Sequence, residues 1–596
     1  MESFEEILHP VDCYRDGLKA AHAANTEKTF DDFFRRSGVD PAANAALVAG
    51  IRKLEAKIAG LSSQRKRWNA LCRVLLILAV AGFLAGLCYF LPDLELAPCW
   101  SAAGAAGGVL FTVLIFGAVR PRIAALDRTI AGEQTKLQEK TAEAWRQMEP
   151  LNRLYQWDTM AKLVMQSLPI VAVDTYFSQT RLEQLTGHFH WSGEVGENMS
   201  VLACQSGALN GNPWCIGEAL QQKWKPETYT GTLSISWRER ETYTDSDGKL
   251  RSRVVTRHET LVATVTKPKP VYLRRKYLVY GNEIAPDLSF SRTPNPISEA
   301  GNGFLDRRKL QNAINALEKK SRDLKNSFVI MDNREFDACF NAADRDHEVQ
   351  FRMLFTPLAQ KEMLNILRDR EQGYGDDFSF RKDHMINILE SKHLNRTVIS
   401  AAPEIFRKYD LEEARRTFLE FSNEFFRSFY FSMAPLLAIP LYQEYRNTPD
   451  IYKGIIDTGE PAFYEYESLA NALEKSALAP PGAATQSILK TRTASREDDT
   501  VQVTVTASAF RSVEHVEYVS KLGGDGRWHK VPVHWIEYLP ISRQSDMVVR
   551  LTGIRDAQEF AGAMQSKAWQ DFAQRYQIPA QGVCFRRSLA AFVVPR

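Results

Sequence analysis

Two uninterrupted apolar runs dominate the hydropathy pattern. Residues 71–91, LCRVLLILAVAGFLAGLCYFL, carry one charge, Arg73, and residues 99–119, CWSAAGAAGGVLFTVLIFGAV, carry none. Each matches the roughly 20 residues that cross a hydrocarbon core, so the pattern predicts two transmembrane helices, 71–91 and 99–119, joined as a hairpin. Basic residues Arg65, Lys66, Arg67 and Arg73 precede or open the first span, Arg120 and Arg122 close the second, and the short connector PDLELAP holds only Asp93 and Glu95. By the excess of Lys and Arg on the cytoplasmic side, both termini face the cytoplasm. Trp68, Tyr89 and Trp100 fall where interfacial aromatic residues belong. Gly82 and Gly86, and Gly104 and Gly108, have the spacing that lets helix backbones approach closely, within the hairpin or between copies. Neither span places an ionisable group at its centre, which argues against transport. The charged segment ahead of the first span distinguishes it from a cleavable signal peptide.

The same reading predicts long helices on either side. Asp40-Pro41 is a helix start, an N-cap residue followed by proline at the first helical position. Leu47, Ile51, Leu54, Ile58 and Leu61 then recur at alternating intervals of four and three, the seam of a coiled coil. With no breaker before Pro92, one helix runs from Pro41 through the first span, about 75 Å at about 1.5 Å per residue. After Pro121, Ile123, Leu126, Ile130, Leu137, Ala144 and Met148 form a second, weaker stripe ending near Pro150. An antiparallel coiled-coil stalk over residues 41–160 follows, preceded by a helical segment over 1–40.

Beyond the stalk the period shortens. Residues 228–242 and 250–266 are β-branched runs joined through Thr244-Asp245-Ser246-Asp247-Gly248, and Asp-Gly is a strong hairpin turn. A further strand is expected over 270–280, where Arg274, Arg275 and Lys276 could meet lipid headgroups or simply line a solvated edge. A charged helix over 307–325 leads into 328–367, read as strand, helix, strand, then a helix capped by Thr356 with Pro357 at its first position. Glu335, Phe336 and Phe340, an extended stretch over 349–354, and Thr356-Pro357 followed by Met363 and Leu364 together resemble the bacterial membrane proteins grouped as "domain of unknown function 3137". The resemblance spans roughly residues 45–395. It implies that the membrane is a bacterial inner membrane, and it implies a stalk, two spans, a second helix and an α+β cytoplasmic domain over 161–400, with no activity.

Asp410 with Glu413 has the form of a capping box, opening a helix with Phe418, Phe421, Phe425 and Phe429 along one side, expected as core. The run 429–442 contains Pro435 and Pro440 and is too short to span, so burial is expected. These residues form a helical segment over 401–476. Residues 477–487 have the composition of a linker, and the alternation after Val501, the turn Gly523-Gly524-Asp525-Gly526, a helix over 556–576 and a last strand over 583–594 make a separate α+β unit over 488–596.

Composition changes this picture little. A net charge of +3 over 596 residues leaves no footprint for a nucleic-acid partner. The eight cysteines include no CxxC pair, which points to reduced thiols rather than a disulfide framework. His188 and His190 in HFHW would share one strand face, with Cys204 or Cys215 as a third ligand, yet no spacing matches a zinc pattern. His529 and His534 on the late hairpin offer no better metal site, and Asp346-His347 beside Arg345 suggests a polarised imidazole with no nucleophile motif near it. Walker, HExxH and kinase signatures are absent. The expectation is an α+β, membrane-anchored scaffold or regulatory protein without a cofactor, metal or catalytic set. It would act through protein partners or as a homo-oligomer in the lipid bilayer. A membrane-associated enzyme with a dispersed site, using His188, His190 or His347, and an oligomeric pore-forming or membrane-disrupting effector are the alternatives.

Overall fold

A computed structural model describes residues 6–87, 98–193, 195–244, 246–298, 303–323, 328–397, 401–445, 449–452, 455, 459–554, 557–578 and 583–594. The acidic connector with Asp93 and Glu95, Tyr89, and the Asp245 position of the turn lie outside them. The chain mixes helix and sheet and contains two long apolar helices. It divides into two compact units. One comprises Met1–Thr26, Gln156–Ala402 and Phe421–Arg596; the other comprises Glu27–Tyr155 and Pro403–Glu420.

In the second unit the helix Pro41–Leu87 begins where expected, with the Asp40 carboxylate accepting from the Ala42 and Ala43 amides at 2.9 and 3.2 Å. Pro98–Leu114, a π-helical turn Ile115–Val119 and Arg120–Asn152 follow one another directly, the π-turn standing just ahead of Pro121, whose missing N–H cannot continue the regular α-helical ladder. Leu47 and Ile51 pack on Ala144 with Leu137 alongside. Lys57 meets Glu133 at 3.0 Å, and Arg65 meets Asp127 at 2.8 Å. Farther along, Gly82 lies so near Gly104 and Gly108 that a Cβ there would come within 2.7 Å of the Gly104 carbonyl oxygen. The side chains between these contacts face outward: Ile77 is 67% exposed and Val113 61%. At the end of the apolar stretch the Arg122 guanidinium lies 4.9 Å from the centre of the Trp68 ring.

The first unit holds two antiparallel sheets. Among the described residues, one contains β1 (Val171–Val173), β2 (Met199–Leu209), β3 (Asn212–Thr244), β4 (Leu250–Gly281), β5 (Ser289–Arg292), β6 (Phe378–Asp383) and β7 (Ile386–Ser391), ordered β1-β2-β3-β4-β7-β6-β5. The other contains β8 (Ile488–Glu497), β9 (Thr500–Leu522), β10 (Trp528–Leu551), β11 (Val583–Arg586) and β12 (Leu589–Val594), ordered β11-β12-β10-β9-β8. The main core lies over the first sheet, where Trp214, Tyr280, Phe290, Phe340 and Phe355 meet Phe429 and Tyr430 of the helix Leu411–Leu437. Of the expected stripe, Phe418 and Phe429 are buried and Phe421 and Phe425 only half-buried, because the buried side of the helix passes through Phe426; the run after Phe429 is buried as expected. Arg292, fully buried, grips Asp376 through both terminal nitrogens at 2.8 Å and donates to the Phe340 and Phe378 carbonyls. Each buried charge therefore has partners, the condition under which a buried pair is tolerable.

Several expectations are corrected. Residues 270–280 are not a separate strand: β4 runs unbroken through Pro268 and Pro270, with Pro226 directly opposite Pro268. The three prolines share one parity, which puts their missing N–H groups on the outer edges of the ribbon, where no ladder bond is lost. Residues 349–354, expected as a strand, lie in the helix Glu348–Leu354, and 328–331 form no strand. The apparent alternation of VQFRML is helical packing instead: Phe351, Leu354 and Phe355 are buried while Val349 and Met353 face solvent. The helix expected over 556–576 is two, Ala557–Ala563 and Lys567–Arg575, with Ser566 capping the second, and the last strand is the hairpin β11–β12.

Candidate functional site

Beyond Gln221, β3 leaves β2 and runs on with β4 as a two-stranded ribbon, and β9–β10 forms a second one. At about 3.3 Å per residue the first extends on the order of 70 Å. The ribbons stack face to face. Leu261, Ala263, Val531 and Val533 form a buried seam with Leu233, Ile235, Val265 and Val519 around it. At Gly231 the backbones all but touch, since a Cβ there would lie 2.0 Å from the Pro532 carbonyl oxygen. The Gly524 amide donates to Glu259 at 2.6 Å where the β9–β10 turn ends. The opposite face of β3–β4 carries Thr228, Thr230, Thr232, Ser234 and Ser236, paired with Thr266, Thr264, Val262, Thr260 and His258. Facing side chains touch across it, with Thr228 and Thr266 oxygens 3.3 Å apart and those of Ser234 and Thr260 3.4 Å apart. Past the end of the second ribbon the tip continues, with Leu250 80% and Val254 62% exposed among Arg238, Arg240, Arg253 and Arg257.

The histidines do not assemble a metal site. His188 ends a π-helical turn, Gln184–His188, and His190 lies exposed in a turn with φ +59°, so the shared strand face does not exist. His188 Nε2 is 2.5 Å from Glu283 Oε1, the other carboxylate oxygen accepts from the Tyr445 hydroxyl, and Tyr452 packs edge-on against the imidazole. Cys204 and Cys215 are sealed in a separate apolar cluster, where burial pushes both thiols well above their ordinary range. His529 bonds Asp525 at 3.0 Å; His534, five residues along the same strand, points to the opposite face. Among the described residues no group of three or more His, Cys, Asp and Glu is placed to hold a metal ion.

The triple Arg345-Asp346-His347 is structural. Buried Arg345 pairs with Asp337 and Glu348, Asp346 accepts from the Ser289 amide at 2.7 Å, and the His347 imidazole caps the Glu348–Leu354 helix by accepting from Gln350 N at 3.3 Å. The basic run of β4 also divides. Arg275 pairs with Glu390, and Lys276 donates to the Asn395 and Thr397 carbonyls at 3.2 and 2.7 Å. Arg274 borders a cavity of about 400 Å³.

That cavity escapes sequence reading. Its floor is Leu202 of β2, Leu220 of β3 and Arg274 beside Leu220 on β4; its walls are Leu473, Leu478 and Leu489. A β-bulge at Leu202 breaks the register with β3, the kind of irregularity that re-aims a side chain. The helix Phe463–Ala472 fixes the bulge, Ser468 donating to the Leu202 carbonyl and Asn471 to the Val201 carbonyl. Over it passes the segment 479–487, pinned where Thr485 Oγ1 accepts from the Tyr272 hydroxyl and the Phe510 amide, both at 3.0 Å. Elsewhere Lys382 lies buried against the Tyr442 ring with one hydrogen bond, to the Ile284 carbonyl, and burial lowers its pKa to about 7.

Comparison with protein-family models, with curated proteins and with solved structures finds no match to this chain.

Proposed function

We propose that this protein is a membrane-anchored scaffold or regulatory protein that acts through protein partners, its two spans forming a hairpin with both termini in the cytoplasm. The apolar helices favour the anchor: the most apolar window of each is only 6% and 17% buried, so the outward leucines and valines need lipid around them. The pairings of Leu47 and Ile51 with Ala144, Lys57 with Glu133 and Gly82 with Gly108 fit a hairpin continued as an antiparallel coiled-coil stalk. The order of helices, spans and long hairpin is what the resemblance to the family of unknown function leads one to expect.

One observation carries the scaffold reading, the stacked ribbons. They put a long, hydroxyl-rich face and, among the described residues, two unpaired strand edges into solvent, which is surface for a macromolecule and not a cleft for a substrate. Near the sheet, Lys223, Lys225 and the three prolines blunt those edges. From Thr228 outward no proline intervenes, and a partner strand has room to add. The test is co-purification in mild detergent of the full chain, a chain lacking residues 41–160, and the double variant Thr232→Glu, Thr264→Glu. A partner near one copy per chain should survive with the full chain, bind it again after separate purification, and be lost from the double variant. No such partner, or turnover of a substrate by the purified protein that depends on His188, overturns the reading in favour of an enzyme. The His188–Glu283 contact is the feature that such an enzyme would use.

A further inference from the structure

The cavity beneath the 479–487 strap has walls that suit one kind of occupant. Leu202, Leu220, Leu473, Leu478 and Leu489 give it an apolar side, opposite a polar one formed by Asn471, Thr485, Gln486 and Ser487. Two of the polar groups are engaged: Asn471 Nδ2 donates to Ser200 Oγ and the Val201 and Glu467 carbonyls, and Thr485 Oγ1 is held by Tyr272 and Phe510. A volume of about 400 Å³ lies near the lower end of ligand pockets, which suits a single chain and not a two-chain lipid.

Charge selects the head. Arg274 is 72% exposed at the side chain, and its ion-pair partner Glu218 stands 3.5 Å away. Glu218 also serves Lys276 at 3.6 Å, so one carboxylate faces two cations and a positive charge remains at the cavity mouth. A guanidinium at the rim of a cavity with a leucine-lined side binds a carboxylate or phosphate head while the tail removes leucine surface from water.

We propose that this cavity binds one single-chain amphiphile with an anionic head, its tail against the Leu202 bulge and its head on Arg274. Two sources share that chemistry, a free fatty acid and a single-chain phospholipid. The site does not depend on the scaffold reading.

The experiment uses the full chain in detergent-free polymer particles, titrated with a fluorescent polyene fatty acid and competed with dodecanoate, a lysophosphatidate, or dodecyl maltoside as the neutral-headed control. Saturable binding near one per chain is expected, displaced by an anionic amphiphile and not by the maltoside. Whichever of dodecanoate and lysophosphatidate competes better names the source. Arg274→Gln should weaken binding by about tenfold or more, the worth of a charge-assisted hydrogen bond. Leu202→Trp, which fills the slot, should abolish it. Because Arg274 is mostly exposed, its variant folds even where the tryptophan variant does not, and it carries the test alone in that case. Binding that both variants leave unchanged resides in the lipid around the spans and overturns the proposal, as does equal displacement by the neutral amphiphile.

Discussion

At the scale of single residues, the buried polar groups divide into those with partners and those without. Arg292 and Arg345 are matched nearly atom for atom by carboxylates and carbonyls. His393 has no hydrogen-bond partner at either ring nitrogen and is held by stacking, 5.0 Å from Phe431 and 4.2 Å from Tyr374. Burial, aided by Arg427 and Arg396, lowers its pKa from 6.5 to about 3; His22, bonded to Ser167 and the Ser422 carbonyl, falls to about 4. Both are neutral in the folded chain, and the unfolded chain binds more protons as pH falls below about 6.5. Their contribution is therefore complete above that pH and is lost progressively toward the folded values. Near pH 5 the loss from His393 is about 2 kcal/mol. His393→Phe removes the titration and keeps the stacking. The variant should melt at or above the wild-type temperature at about pH 5 and show a shallower acid decline. Parallel melting curves against pH for the two proteins would refute this account.

Among the elements, the stacked ribbons depend most on one position. Gly231 is where β3 meets the β10 backbone, and a side chain there collides with the Pro532 carbonyl. Gly231→Val should part the ribbons locally at a cost of about 1–3 kcal/mol, in the range of overpacking. Limited proteolysis should then cut within residues 509–545 faster than in the wild type. Unchanged cleavage and melting would mean that the seam around Val531 is not what holds the ribbons together. These ribbons also mark how far sequence reaches. The runs 228–242 and 250–266 and the Asp-Gly turn announce a hairpin through local alternation, and Asp40-Pro41 with its heptads announces the first long helix. The continuation of β4 through Pro268 and Pro270 was hidden because proline reads as a breaker unless its edge position is known. Helix and strand were confused over 349–354 because six residues hold too few repeats to separate the two periods. The cavity is farther still from local pattern: Leu202, Leu220, Arg274 and Leu489 lie on four strands and Leu473 just past a helix, and a bulge that no turn residue signals aims the first of them.

For the whole molecule, the decisive question is which side of a bilayer each polar segment occupies. In the proposed anchor two spans would put both termini on one side, and the flanking charges would choose the side: Arg65, Lys66, Arg67 and Arg73 before, Arg120 and Arg122 after, against Asp93 and Glu95 between. The alternative orientation would carry every charged residue outside 71–119, including the ribbon tip with Arg238, Arg240, Arg253 and Arg257, across the membrane. In a background without the native cysteines, Glu95→Cys should react with a membrane-impermeant maleimide in intact bacterial cells whose outer membrane has been opened. Asp247→Cys at the ribbon turn should react only after the inner membrane is broken. The reverse pattern would put the ribbons outside the cell and send the search for partners to the periplasm. Reaction of both in intact cells would mean that the apolar helices do not cross at all, and their 67% exposed Ile77 and 61% exposed Val113 would then need another copy of the chain to cover them. Replacing Arg120 and Arg122 by glutamine while adding arginines beside Glu95 separates these cases. A true two-span anchor responds to the charge change with mixed or inverted labelling, whereas a pair of helices lying outside the bilayer is indifferent to it.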